Sequence, residues 1–334
     1  MSVLVLLVAC SASEDTEQPY TDGAPAPPGD PLSDTALVLD TDAVPIPTET
    51  VTTTDCDDLP LDAPFFTIGI ATQEDFDFDA FGYLVHQSGG SLAGISYEQD
   101  LRIIVPGVGD TAGIQMVSTG AIVYASPFSG AIRTVDPDGG SDTLLAGGLT
   151  LPDGLEVGAG DRVYYSERTS PGRVRYIDLG TRETGTILDD VDVPNGLALS
   201  PDETTLYIAG GYGSGLEGII AVDKDELGVW GAPRSVVEAN AASFDGVEVD
   251  VCGNVYAVGW SDGRVSRTTP DGIESVIIAD LTSAGGAWAL FNSIRWGSGF
   301  GGWRRDVLYV TDRSQIYAEE VGVLGRKSPV ANPY

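Results

Sequence analysis

Five oxygen-bearing side chains and one glycine stand at the start of a short phrase that recurs six times in this sequence. We call these positions the heads of the repeat: Glu74, Gly113, Asp153, Asn195, Asp245 and Asn292. Carboxylate and carboxamide oxygens are the ligands that hard cations such as Ca²⁺ prefer. A carboxylate can also act as a general base, and an amide can orient a polar substrate. The heads therefore indicate one shared site, provided that the fold brings them together.

The spacing of the heads predicts the fold that would do so. Successive heads lie 39, 40, 42, 50 and 47 residues apart, which is the length of one four-stranded propeller blade. Each head leads through a turn into an apolar run, such as RVYYSE (162–167) or VLYVTD (307–312). Short apolar runs alternate with turn residues throughout, and the chain has 43 glycines and 20 prolines. We predict an all-β fold, with a single six-bladed β-propeller over residues 61–334.

A closed propeller has consequences for its last blade and for the heads. The few residues after 326 are too short to supply a final outer strand, so we expect FFTIGI (65–70) to complete the sixth blade. The heads would then emerge at one end of the axis, where clustered carboxylates cost several kcal/mol each unless a cation lies between them. Oxygen donors without His or Cys favour Ca²⁺, although another divalent cation could replace it. The alternative is that the heads are ordinary turn residues, since Asp-Gly and Asn-Gly suit a tight turn.

The N-terminal 60 residues differ in composition from the rest. Residues 1–10, MSVLVLLVAC, resemble a lipoprotein signal peptide that ends at an acylated cysteine, Cys10, and Ser11 resembles an outer-membrane sorting signal. No Lys or Arg precedes Arg102, so an upstream start, a weak export signal and a chance apolar segment all stay open. Residues 11–60 hold twelve acidic residues and eight prolines, which predicts a disordered tether. We expect an extracytoplasmic, lipid-anchored protein at a bacterial outer membrane.

Cysteine, histidine and charge limit the chemistry and the partners. In an exported protein Cys56 and Cys252 could form a disulfide, the alternative being two free thiols. His86 is the only histidine, which argues against Cys/His or Ser/His catalysis. A net charge of −33 repels phosphate backbones, so we expect no nucleic-acid partner. The expected partners are a small-molecule substrate and, through the anchor alone, a membrane; we expect a monomer.

Two long phrases resemble a known family. VPNGLALSPDETTLYIAGG (193–211) and SFDGVEVDVCGNVYAVGWSDGRVSRTTPDG (243–272) are similar to the senescence-marker-protein/gluconolactonase family and its fluorophosphatase and paraoxonase-like relatives. The resemblance extends over roughly residues 70 to 325. It implies a calcium ion on the propeller axis, bound by the blade-one, blade-three, blade-four and blade-five heads: Glu74, Asp153, Asn195 and Asp245.

The resemblance also implies catalytic roles. Asp245 would activate water or attack the substrate, while Asn195 and Asn292 would orient it. Asp153 departs from the family, which usually has asparagine in this position. Three carboxylates around a dication leave a formal charge of about −1, which should tighten cation binding and resist anionic substrates. Gly113 offers no ligand and would leave an opening for water or substrate.

Two classes of function follow. The first is a calcium-dependent hydrolase of a lactone or related ester, in which the cation stabilises the developing oxyanion. The alternative is a non-catalytic, lipid-anchored propeller that binds a ligand or partner and uses calcium only to brace its axis. A condensation of the strictosidine-synthase type is a weaker third hypothesis, because that chemistry resembles a glutamate-based site without this ligand set.

Overall fold

Six four-stranded antiparallel sheets make up the protein in the computed structural model, which describes residues 56–210, 218–238, 243–260, 262–281 and 290–326. The predicted all-β fold with six blades is thereby confirmed. Cys10 and most of the proposed tether lie outside the described residues. Within these ranges, one 3₁₀ turn lies between two successive strands, at Ala159–Asp161.

The first three blades follow the chain in order. Blade one consists of β2 (Phe76–Phe78), β3 (Tyr83–Ser88), β4 (Ser91–Ser96) and β5 (Leu101–Val105). Blade two consists of β6 (Ile114–Met116), β7 (Ile122–Ser126), β8 (Ala131–Val135) and β9 (Thr143–Gly147). Blade three consists of β10 (Pro152–Gly158), β11 (Arg162–Glu167), β12 (Gly172–Asp178) and β13 (Thr184–Val191).

The last three blades repeat this order, with one exception. Blade four consists of β14 (Pro194–Leu199), β15 (Thr205–Gly210), β16 (Gly218–Asp223) and β17 (Arg234–Glu238). Blade five consists of β18 (Phe244–Val249), β19 (Val255–Gly259), β20 (Arg264–Thr268) and β21 (Ser275–Asp280). Blade six consists of β22 (Ser293–Trp296), β23 (Val307–Thr311), β24 (Ile316–Glu320) and the N-terminal strand β1 (Phe65–Ile68).

The exception closes the ring as expected from the sequence. β1 pairs antiparallel with β24, with Phe65 opposite Glu319 and Ile68 opposite Ile316. The blade therefore contains strands from both ends of the domain, so that the ring is closed by strand pairing and the short outer edge of β1 stays unpaired in the described sheet. On the other side of this blade, the buried Trp303 indole donates a hydrogen bond to the carbonyl of Gly82 in blade one (3.0 Å).

The first strand of each blade lies innermost, because β2, β6, β10, β14, β18 and β22 contact one another in a closed cycle. The apolar runs that stand out in the sequence are the second strands, and they are buried between neighbouring blades. Asp79 and Asp250 follow the inner strands of blades one and five, where each carboxylate accepts two backbone N–H bonds. Both are turn residues, as the sequence indicates.

The disulfide joins Cys56 to Cys252 with a Cα–Cα distance of 5.7 Å. Cys252 lies in the turn after β18, at the opposite end of that strand from Asp245. The N-terminal segment is thus fixed to the face that lies away from the heads.

Candidate functional site

A shift in strand pairing aims the heads at the axis. In the inner strands of blades three, four and five, the pairing register shifts between Pro152 and Leu155, between Pro194 and Leu197, and between Phe244 and Val247. Each shift spans the head and the glycine after it. An extra residue of this kind re-aims the side chains beside it. The head and the residue three positions later can therefore both face the channel.

Glycines beside the heads let the inner strands approach closely. A Cβ atom on Gly154 would lie 2.2 Å from the Asn195 carbonyl oxygen, and one on Gly196 would lie 2.4 Å from the Asp245 carbonyl oxygen. No other residue fits at this distance. The backbone of one head is thus packed against the glycine that follows the preceding head, which holds the heads at one level.

In blade two the same kind of glycine packing shows that Gly113 is not the head. Gly113 occupies the position of these packing glycines, since its own Cβ would lie 2.3 Å from the Asp153 carbonyl oxygen, and its N–H donates to that oxygen (3.0 Å). The head position belongs to Ala112, which is buried. Blade two still supplies no ligand, but Gly113 serves close packing and does not open the site.

Strained backbone precedes two of the heads. Leu151 and Val193, each two residues before a head, have positive φ angles of 48° and 42°. Such a conformation is unusual for any non-glycine residue, and for β-branched Val193 it costs on the order of 1–3 kcal/mol. Backbone strain of this kind clusters at sites where a side chain must be held in place.

We call the five polar heads the outer ring: Glu74, Asp153, Asn195, Asp245 and Asn292. All except Glu74 are at least 95% buried. The Asn292 amide nitrogen donates to the Asp245 carboxylate (3.1 Å), so blades five and six are joined directly. The Asn195 amide nitrogen is buried and has no hydrogen-bond partner among the described residues. The structure therefore leaves one carboxamide of the ring uncommitted.

Two arginines reach the outer ring from opposite sides. Arg168, in the turn after β11 of blade three, forms an ion pair with Asp153. Arg313, in the turn after β23 of blade six, donates from Nε to the side-chain amide oxygen of Asn292, Oδ1 (2.9 Å), and contacts the Glu74 carboxylate through Nη2 (3.4 Å). Their side chains are 34% and 45% exposed, so both lie at the mouth of the ring.

The carboxylates of the outer ring hold protons more tightly than ordinary carboxylates. Burial raises the pKa of Asp153 to about 8, against the opposing effect of Arg168. Burial, followed by the charges of Asp153 and Glu74, raises the pKa of Asp245 well above its usual value. Burial also raises the pKa of Glu74, although Arg313 opposes it. The three carboxylates thus lie close enough to repel one another.

The donor set suits a hard cation, while the arginines contact part of it. Three carboxylates that repel one another and an unpartnered carboxamide are the groups that Ca²⁺ binds. Within the described ranges, no three His, Cys, Asp or Glu side chains are grouped so that they could hold a metal ion. In the structure, guanidinium groups lie against Asp153 and Glu74.

A second polar layer lies three residues beyond the heads. We call it the inner ring: Asp77, Gln115, Glu156, Glu248 and Arg295. With Arg326 from the C-terminal segment, these residues line a cavity of about 40 Å³. Arg295 bonds to Glu248 (2.9 Å), while Arg326 pairs with Glu156 and with Glu203 (3.2 Å). Burial raises the pKa of Glu248 to about 8 and that of Asp77 to about 6. Two carboxylates of this layer, Glu248 and Glu156, are thus paired with the buried arginines Arg295 and Arg326.

Sequence reasoning missed the arginines and the inner ring. A signal for the arginines exists, because only the second strands of blades three and six run into an acidic-basic pair, Glu167-Arg168 and Asp312-Arg313. The inner ring is visible as a polar residue three positions after most heads.

The buried His86 lies on the second strand of blade one, and burial lowers its pKa to about 4, so its imidazole is neutral at physiological pH.

A six-bladed propeller with an axial ring of carboxylates and carboxamides is the class of protein that fold and site define. Residues 159–281 match the profile of the SMP-30/gluconolactonase/LRE-like region. The chain thus contains a region of that kind, which confirms the resemblance over blades three to five. No curated protein matches the sequence at a significant level.

Solved structures of low sequence identity share the fold. A gluconolactonase from Xanthomonas campestris aligns with a TM-score of 0.63 at 20% identity, over 77% of this chain and 89% of that one. A calcium-binding regucalcin from Agrobacterium tumefaciens gives 0.60 at 17% identity, over 80% and 95%. A luciferin-regenerating enzyme gives 0.61 at 15% identity, over 80% and 99%. The described part of the chain holds no helix long and apolar enough to cross a membrane.

Proposed function

We propose that this protein is a lactonase-type hydrolase that depends on a divalent cation, most simply calcium, bound at the outer ring. The observation that carries the proposal is the convergence of three mutually repelling carboxylates with an unpartnered carboxamide. Glu74, Asp153, Asn195 and Asp245 would hold the ion. When bound, it would polarise the carbonyl oxygen of a lactone and stabilise the charge that develops there.

Asp245 is the proposed base. Its carboxylate is buried, and its raised pKa gives it more affinity for a proton than an ordinary aspartate has. Asn292 donates to Oδ2 of Asp245, and we assign the other carboxylate oxygen, Oδ1, the contact with a water molecule. Both the nitrogen and the oxygen of the Asn292 side-chain amide have partners. We therefore propose that Asn292 holds Asp245 and Arg313 in position. The uncommitted Asn195 amide is better placed to contact a substrate oxygen.

The test compares Asp245→Asn with a matched control, Asp271→Asn, which changes an exposed turn aspartate of the same blade. Lactone hydrolysis is followed by pH-stat and calcium binding by calorimetry. We expect Asp245→Asn to lower kcat at saturating calcium by at least 100-fold, while Asp271→Asn leaves it unchanged. Wild-type protein that binds calcium but hydrolyses no lactone, aryl ester or phosphotriester would refute the hydrolase.

The second candidate is a non-catalytic binding propeller. The specific observation in its favour is that Arg168 and Arg313 form ion pairs with two of the outer-ring carboxylates, those of Asp153 and Glu74. In that case calcium would raise the melting temperature, because a ligand that binds only the folded state stabilises it, but no lactone, aryl ester or phosphotriester would be hydrolysed. A melting temperature that chelation leaves unchanged would refute the metal site in both candidates.

We also propose an extracytoplasmic location, with Cys10 as the lipid anchor and residues 11–60 as a tether. The disulfide between Cys56 and Cys252 supports an oxidising compartment. Cys10→Ser should move the protein from the membrane fraction to the soluble fraction of the cells. An unchanged distribution would contradict the anchor.

A further inference from the structure

The outer ring carries positive charge that its carboxylates alone do not suggest. Three carboxylates and a dication would leave a net charge of about −1, which repels anions. Arg168 and Arg313 add two positive charges at the mouth of the same ring. The two arginines offset two of the three outer-ring carboxylates, while Asp75 and Asp110 add negative charge nearby. What favours an anion at the mouth is therefore the local presence of two guanidinium groups and not the net charge of the site.

The position of the arginines allows them to change partners. Both lie in turns between the second and third strands, on blades three apart in a ring of six, so they approach the axis from opposite sides. Their partners Asp153 and Glu74 are proposed cation ligands. A cation that binds these carboxylates would compete directly with the guanidinium groups. Because both side chains reach solvent, they can leave the carboxylates without being buried elsewhere.

The backbone holds Arg313 in place at some cost. Its φ angle is 71°, in the left-handed region that non-glycine residues seldom adopt. The hydroxyl of Thr311 accepts its N–H (3.0 Å), and Asp312 accepts the N–H groups of Ser314 and Gln315. Half-exposed ion pairs contribute little to stability, which gives no reason for such a conformation. Ligand recognition does, since strained residues cluster at ligand clamps.

We propose that Arg168 and Arg313 form an anion clamp at the mouth of the outer ring, and that the substrate of the proposed hydrolase is a lactone bearing a carboxylate. Without a cation the two arginines compensate Asp153 and Glu74. With a cation bound, they are released and bind the carboxylate of the substrate, whose planar shape suits a guanidinium. This inference rests on the proposed function, because only an enzyme has a substrate. Binding of the carboxylate by the two arginines can nevertheless be tested without hydrolysis.

The experiment uses two lactone probes that differ by one carboxylate group, γ-butyrolactone and 5-oxotetrahydrofuran-2-carboxylate. Binding of each to the calcium-loaded full chain is measured by calorimetry for the wild type, Arg168→Gln/Arg313→Gln and a control, Arg173→Gln. Arg173 is an exposed arginine of the same blade whose ion pair among the described residues is with Asp189. We expect wild type and control to bind the carboxylate at least tenfold more tightly than the neutral lactone, and the double variant to lose this preference.

Calcium affinity provides the second readout. Removal of two competing cations should tighten calcium binding by the double variant at least threefold, whereas Arg168→Lys should stay close to the wild type. A double variant that keeps its preference for the carboxylate probe, or binds calcium no more tightly, would overturn the proposal. If the wild type hydrolyses neither probe, that result counts against the hydrolase, yet both binding comparisons still decide for or against the clamp. If it hydrolyses both, the double variant should raise KM for the charged lactone by a larger factor than KM for the neutral one.

Discussion

The outer and inner rings are built from the same charges and differ in where the positive ones lie. Each ring combines three carboxylates with two arginines: Glu74, Asp153 and Asp245 with Arg168 and Arg313 outside, and Asp77, Glu156 and Glu248 with Arg295 and Arg326 inside. The outer arginines are 34% and 45% exposed, whereas the inner ones are 6% and 10% exposed. Only the outer pair can be hydrated when it gives up its carboxylates. The same set of charges thus forms a fixed structural layer at one level and an exchangeable layer at the other.

The sharpest way to break this comparison is to remove an inner arginine. Arg326→Met leaves Glu156 and Glu203 buried or half-buried without their guanidinium. We expect a loss of about 3–5 kcal/mol in the free energy of unfolding, since a buried charge is left uncompensated. Urea denaturation followed by circular dichroism measures it. The double variant Arg326→Met/Glu156→Gln should recover most of the loss; no recovery would mean that packing, and not charge, is responsible.

Glu319 sharpens the comparison, because it is a buried carboxyl to which the described residues offer no partner at either oxygen. Burial raises its pKa to about 8 in the folded state, against 4.5 in the unfolded state. Between about pH 4.5 and 8 the folded protein therefore keeps a proton that the unfolded chain loses. As the pH rises through this range, the free energy of unfolding falls. Glu319→Gln should raise the melting temperature by several °C at pH 8 and leave it unchanged near pH 4.5.

The matched control for that experiment is Glu320→Gln, which changes the adjacent, half-exposed glutamate paired with Arg304. It should alter stability by less than about 1 kcal/mol at either pH. An equal effect of both variants at pH 8 would show that overall charge, and not the burial of Glu319, sets the dependence.

The exchangeable ring should respond to pH through its ligands. Asp153, with a pKa of about 8, holds a proton at neutral pH that a cation must displace. Calcium affinity should therefore rise by up to about tenfold per pH unit below pH 8, and more slowly above it. Calorimetry at pH 6, 7, 8 and 9 measures this slope. Asp153→Asn should flatten it, and a slope that persists unchanged would assign the proton to another group.

The smallest expected effect concerns the outer arginines without metal. Arg168→Gln should change the free energy of unfolding of the metal-free protein by less than about 1 kcal/mol, because the Arg168 side chain is one-third exposed and Asp153, with a pKa of about 8, already holds a proton at neutral pH. Thermal unfolding in the presence of a chelator measures it. A loss of unfolding free energy as large as that expected for Arg326→Met would show that outer and inner arginines contribute equally to stability, against the comparison of the two rings.

The sequence predicts the repeat far better than it predicts the contacts across it. Head spacing identifies six blades because turn chemistry and strand patterning are local, and the FFTIGI segment is correctly assigned to the sixth because a closed ring needs a fourth strand there that the C-terminal residues are too few to supply. The sequence wrongly indicates Gly113 as a head, because the phrase around it is short; its packing against Asp153 shows that it follows the head position. Arg168, Arg313 and Arg326 act on residues of other strands or blades. Long, flexible side chains leave no periodic trace of the partner that they reach.

The position of the disulfide has a mechanical consequence. Cys56 precedes the closing strand β1 by nine residues and is bonded to the turn after β18. A force that pulls on the chain from its N-terminal side is therefore transmitted to blade five before it reaches β1. The pairing of β1 with β24, which keeps the ring shut, is relieved of that load as long as the disulfide is intact. Reduction would transfer the tension to the closing strand and peel the sixth blade open from its outer edge.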